Sequence, residues 1–115
     1  YYNRKESTKK KPPTEYLYEI LSDVKNFANK NNSNFYFIYL PEIKNFQNKN
    51  FDNENLKLVK DITNDLGIKF IDLNDELFNN FKNPVELYTF KLGPHLNENG
   101  YREVAFKIIE LTELK

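Results

Sequence analysis

The sequence predicts an α/β fold in which parallel strands are flanked by helices, and three observations predict it. Apolar residues recur at spacings of three and four over residues 14–30, 53–66 and 98–112, the period of helices that bury one face. Two short runs, FYFIYL at 35–40 and IKFIDL at 68–73, are mostly apolar without alternating, as strands covered on both faces are. Helical and extended segments also alternate along the chain, the order that yields parallel strands with helices on both sides of the sheet.

The first segment is the exception to this plan. NRKESTKKKPP, residues 3–13, carries five basic residues, one acid and no aliphatic side chain, so residues 1–13 are expected to be a charged flexible arm or linker. One α/β domain then spans 14–115. Thr14 is the expected N-cap of a helix running to about Lys30, with Leu17, Ile20, Leu21, Val24, Phe27 and Ala28 on its apolar face. The polar cluster NKNNSN stops that helix, the first strand follows, and Pro41 ends the strand.

Beyond an Asn-rich loop, Leu58, Val59, Ile62 and Leu66 mark the second long helix, and Gly67 stands where a left-handed C-terminal residue is wanted. The second strand is followed by a short helix over about 74–82, in which Leu77, Phe78 and Phe81 share a face. VELYTF at 85–90 fits either a short strand or an extended loop. Asn97 can cap the last helix, Glu98 to Thr112, with Tyr101, Val104, Ala105, Ile108 and Leu111 inward.

Two strands make too narrow a sheet to cover such apolar runs, so further strands are expected from an upstream segment, a partner chain or a second copy of this one. An opening Tyr1 in place of Met agrees with an upstream segment.

Composition narrows the function classes. The chain has 115 residues and no cysteine, which removes thiol nucleophiles, thiolate metal sites and disulfides. Seventeen basic residues balance seventeen acidic ones, so no global field draws nucleic acid or an anionic membrane. No apolar run approaches the roughly 20 residues of a membrane span, and no signal peptide opens the chain. With one histidine, three glycines and no H-E-x-x-H, G-x-G-x-x-G or P-loop, neither a metal nor a cofactor is expected.

The residue that can carry chemistry is that single histidine, His95. Imidazole exchanges a proton near neutral pH, and a histidine on a loop between an extended segment and a capped helix suits a general base. A turn histidine bonded to backbone is the competing account. The surrounding H-L-N-E-N-G-Y-R-E-V-A, with FIYLP and LGIKFIDL upstream, resembles the C-terminal half of the SGNH hydrolases, the GDSL family of esterases and acyltransferases. The resemblance covers about residues 14–112 and is most specific over 95–105.

It implies a three-layer, flavodoxin-like parallel sheet, incomplete in this chain, and an acyl-transfer site built on a serine, a histidine base and an aspartate three residues before that histidine. Only the histidine carries over, onto His95; Leu92 occupies the aspartate position in L-G-P-H. No G-D-S block is present, and Ser7, Ser22 and Ser33 lie in the arm, a helix and a polar loop. A histidine base cannot run acyl transfer without the hydroxyl it activates, so this chain alone is expected to be inactive.

Glu86 and Asp72 are candidate acids to orient His95, with Asp75 a further one, although Asp72 also suits the cap of the helix at Leu73. Glu42, Leu92 and Tyr101 are candidate cleft-lining residues, Glu42 because ligands bind beyond the C-terminal ends of parallel strands. The family implies a small ester or acylated glycan as substrate, with a lean toward the cell envelope or periplasm. The departures in L-G-P-H and in the serine favour the alternative of an inactive binding or assembly domain.

Overall fold

A computed structural model of the chain describes residues 12–113; the charged segment foreseen at 1–13 lies outside these residues except for Pro12 and Pro13. Helix α1 spans Pro13–Lys30, β1 Tyr36–Tyr39, α2 Lys44–Gln47, α3 Glu54–Asp65, β2 Lys69–Asp72, α4 Leu73–Glu76 and α5 Glu98–Thr112. Three 3₁₀ turns, Phe78–Asn80, Pro84–Leu87 and Thr89–Lys91, fill the stretch between α4 and α5.

The two strands pair in parallel, Tyr36 with Lys69 through Tyr39 with Asp72, and form the whole sheet among the described residues. Side chains alternate across it. On one face Phe37 and Phe70 stack at 5.7 Å between ring centroids, beneath Leu17 and Leu21 of α1 and Leu58 and Ile62 of α3. On the other, Tyr36, Ile38 and Ile71 join Ile43, Leu73, Leu77, Phe78, Leu87, Tyr88 and Leu96, with Val104 and Leu111 of α5 packed alongside. The molecule is thus mixed α/β, with helices against both faces of a two-stranded parallel sheet.

Local signals set several element ends. Asn53, Asp72 and Asn97 each accept a hydrogen bond from a backbone N–H of the helix they precede, Leu56, Asn74 and Gly100 respectively. Gly67, at φ 66°, follows α3 in the left-handed conformation that glycine adopts without steric cost.

Thr14 is not the first cap. Pro12 holds that position and makes no side-chain cap bond; Pro13, whose fixed φ and missing N–H suit the first helical residue, starts α1 one residue earlier. The short helix over 74–82 is two pieces, α4 and a 3₁₀ turn, because Leu77 at φ −130° breaks it. VELYTF is neither strand nor simple loop. It forms two consecutive 3₁₀ turns and a single antiparallel bridge from Tyr88 to Leu96.

The strands are less covered than the apolar runs suggest, since all four β1 residues are only half-buried. Likewise Tyr101 and Ala105 do not face inward on α5, nor do Ile20, Val24 and Phe27 on α1; all five are exposed.

Candidate functional site

His95 ends a loop that closes on itself. The backbone N–H and the hydroxyl of Thr89 both donate to His95 O, at 2.9 and 3.2 Å, while the N–H groups of Leu92 and Gly93 donate to Thr89 O at 3.1 and 2.8 Å. A Cβ on Gly93 would stand 2.0 Å from Thr89 Oγ1, so the turn tolerates only glycine without rearranging. Phe90 and Lys91 occupy the left-handed region at φ 52° and 59°, a strained conformation for residues with a Cβ.

Two side chains tie this loop to the body of the molecule. The buried Tyr88 hydroxyl donates to Pro41 O at 2.7 Å, which fastens the start of the loop just beyond the C-terminal end of β1. Burial, reinforced by the charges of Tyr39 and Glu42, raises the Tyr88 pKa well above the ordinary tyrosine value. Asn97 works in both directions: its Oδ1 accepts from Gly100 N at 2.8 Å, and its Nδ2 donates to the carbonyls of Glu86, at 2.6 Å, and Tyr88, at 3.2 Å. Its own N–H donates to Leu87 O at 2.9 Å. Gly100 completes the fit, since a Cβ there would lie 2.3 Å from Leu87 O.

The backbone of His95 is therefore held on both sides, while its imidazole is exposed and makes no hydrogen bond or ion pair among the described residues. None of the three candidate orienting acids bonds to the ring, and each has other partners. Asp72 is buried at the end of β2, where Oδ1 accepts from Asn74 N at 2.9 Å and Oδ2 pairs with Lys60 Nζ at 2.9 Å. The hydrogen bond that Lys60 donates to Asp72 raises the Lys60 pKa above its usual value. Glu86 is exposed and loosely engaged, its Oε1 accepting from Asn83 Nδ2 at 3.5 Å and lying 3.9 Å from Lys91 Nζ. Asp75 accepts from Asn79 at 3.4 Å.

The cleft-lining candidates separate in the same way. Glu42 borders a groove of about 400 Å³ beyond β1 with Lys44, Phe51, Asp52 and Asn53, and His95 is not among its walls. Tyr39, at the end of β1, has its pKa raised by burial, against the lowering effect of hydrogen bonds from Asn45 and Asn53. Leu92 shares the His95 loop and is 77% exposed, and Tyr101 lies on the outer side of α5. A second groove, about 580 Å³, joins Glu86 to Phe81, Lys82, Asn83, Leu87 and Asn99. Sequence periodicity gave no sign of it, because non-helical turns bring these residues together.

Of the serines, Ser22 lies on α1 and Ser33 precedes β1, at the opposite end of that strand from Pro41; Ser7 lies outside the described residues. No three His, Cys, Asp or Glu side chains converge in a way that could hold a metal ion among the described residues, and no helix there is long and apolar enough to cross a membrane. An accessible imidazole on a fixed loop can exchange protons, but among the described residues no hydroxyl or carboxylate bonds to the ring, the Thr89 hydroxyl donating to the backbone carbonyl of His95 instead. No family model matches the chain, and no curated protein or solved structure is significantly similar to it.

Proposed function

We propose that this chain is the base-bearing C-terminal portion of an SGNH-type esterase or O-acyltransferase domain, three-layered and flavodoxin-like when whole, with the serine nucleophile outside the chain. The observation that carries this reading is the stretch from His95 to Ala105, in which Leu96, Asn97 and Gly100 each have a mechanical part in presenting His95, while Tyr101 and Ala105 stand exposed. Leu96 is buried, Asn97 caps α5 and holds two carbonyls of the preceding turn, and Gly100 allows α5 to approach Leu87.

In the complete domain His95 accepts the serine proton as the hydroxyl attacks the ester carbonyl, then returns it to the departing alkoxide. The attacking bond forms at the carbonyl carbon and the ester C–O bond breaks. Water or an acceptor hydroxyl releases the acyl group in a second round. Substrates of this class are small esters or acylated glycans.

A second reading, a binding or assembly domain without catalysis, is favoured by Leu92 at the expected acid position and by the pairing of Asp72 with Lys60. One experiment separates them. The full-length gene product is assayed with a p-nitrophenyl acyl ester, alongside His95→Ala. Turnover that falls at least about a thousandfold in a variant of unchanged thermal stability supports the base, in keeping with the size of such losses. Activity that survives His95→Ala, or a gene with no G-D-S block upstream, sinks the esterase reading.

A further inference from the structure

Helix α1 carries two apolar stripes, of which the fold covers one. Leu17, Leu21 and Ala28 face the core. Tyr16, Ile20, Val24 and Phe27 form a second stripe beside the first and are 47, 57, 40 and 70% exposed. At 100° per residue this stripe lies on the flank opposite Tyr18 and Lys25. Those two residues reach α3 and its C-terminal turn, through Asp65 and through the carbonyls of Leu66 and Gly67. Helix α3 in turn sits against β2, with Lys60 pairing with Asp72 and lying over the Phe70 ring. The order α3 then α1 therefore runs from β2 across β1 and past its outer edge, and the uncovered stripe overhangs that edge.

The edge itself is unprotected. Tyr36, Phe37, Ile38 and Tyr39 offer no charge, proline or bulge, the devices that keep natural edge strands from pairing, and no backbone partner meets their outer side among the described residues. Widths decide what belongs there. Packed helices lie about 8–10 Å apart and strands about 4.8 Å apart, so two neighbouring helices cover at least about three strands. Beneath α1 and α3 there are two. A second copy of the chain adds two strands but two more helices, and the deficit persists.

The occupant must be a strand that brings no helix of its own to this face. Its direction follows from α1. Only residues 31–35 separate α1 from β1, so α1 runs back along the strands and begins at their C-terminal end. A parallel strand beside β1 ends at that same side, where a right-handed crossover would pass it into α1.

We infer that the β1 edge and the Tyr16–Ile20–Val24–Phe27 flank of α1 receive an apolar β-strand, parallel to β1, from the segment of the same polypeptide that precedes Tyr1. This inference does not depend on the esterase reading. Its test uses the full-length gene product carrying p-benzoylphenylalanine at Phe27 or, separately, at Ile20, followed by irradiation and peptide mapping. Cross-links within one polypeptide to residues preceding Tyr1 are expected. Cross-links between two copies, to a different protein, or to nothing overturn the inference, as does a gene that starts at Tyr1. In the unmodified full-length protein, the β1 amides that do not bond to β2 should exchange at least a hundredfold more slowly than unstructured amides. Exchange at the unstructured rate overturns it independently, whatever the protein's activity on esters.

Discussion

Replacing Asn97 tests how His95 is positioned, because one side chain performs two separable tasks. As an acceptor it caps α5 through Gly100 N at 2.8 Å; as a donor it ties down Glu86 O at 2.6 Å and Tyr88 O at 3.2 Å. Loss of an N-cap costs ~1 kcal/mol. Loss of the two donor bonds adds ~1 kcal/mol for the partly buried Tyr88 carbonyl and less for that of the exposed Glu86. Asn97→Ala should therefore cost ~2–3 kcal/mol in urea unfolding, a fall in Tm of roughly 8–20 °C for a domain of this size. Asn97→Asp keeps the cap and gains favourable interaction with the helix dipole, but turns a carboxylate oxygen toward two carbonyl oxygens. It should fall between wild type and Asn97→Ala, with faster amide exchange at Thr89 and Leu92 in the His95 loop. An Asp variant as stable as wild type would refute the tether. An Ala variant within ~0.5 kcal/mol of wild type would refute the cap as well.

Other variants probe the same framework. Gly100→Ala gains ~1 kcal/mol of helix propensity but forces a Cβ against Leu87 O at 2.3 Å, so a net loss of ~1–3 kcal/mol is expected from urea titrations; unchanged stability would mean that α5 shifts freely. Tyr88→Phe leaves Pro41 O without its 2.7 Å donor and should cost ~1–2 kcal/mol at neutral pH. The folded Tyr88 pKa is raised above the unfolded value, so the stability tied to its proton is complete below about pH 10 and is lost as pH climbs past that value. Tyr39 and Lys60 act with the same sign, and Tyr88→Phe should make the alkaline decline measured by circular dichroism shallower without abolishing it. Asp72→Ala should cost ~1–2 kcal/mol through the lost cap of α4, whereas Asp72→Asn should cost less; an esterase defect in the full-length protein that outruns this loss would make Asp72 an orienting acid after all. Phe90 is 95% exposed in a left-handed conformation, so Phe90→Asn should match or exceed wild-type stability by up to ~1 kcal/mol, and a clear loss would reveal a contact for the ring.

What could be read in the sequence divides by the range of the interactions involved. The caps at Asp72 and Asn97 and the left-handed Gly67 are legible because each is settled within three or four residues of chain, whereas the cap at Asn53 shows only in the structure. Residues 74–91 are not legible, since their turns are held by contacts such as the hydroxyl of Tyr88 on Pro41 O, 47 residues away. Helical periodicity found the apolar stripes of α1 and α5 but not which part of each is covered. That depends on the width of the sheet beneath, and the pattern within one helix carries no record of it. Ile20, Phe27 and Tyr101 fit an inward stripe by spacing alone and stand exposed.

The same limit governs the candidate site. The loop, the cap and the position of His95 before α5 follow from nearby residues, whereas the availability of an acid depends on competition between distant partners. Asp72 illustrates it. Its two oxygens stand at a strand end where a carboxylate could meet a base, yet one is taken by Asn74 N and the other by Lys60. A buried carboxylate bonded to both a helix N-terminus and an ammonium has little left to gain from reaching an exposed imidazole. If His95 is oriented at all, the partner must reach it from Glu86, whose present contacts at 3.5 and 3.9 Å are weak, or from polypeptide that completes the sheet. A strand seated on the open edge of β1 as proposed would end at the same side of the sheet as the loop anchored on Pro41, which would make it the more economical source.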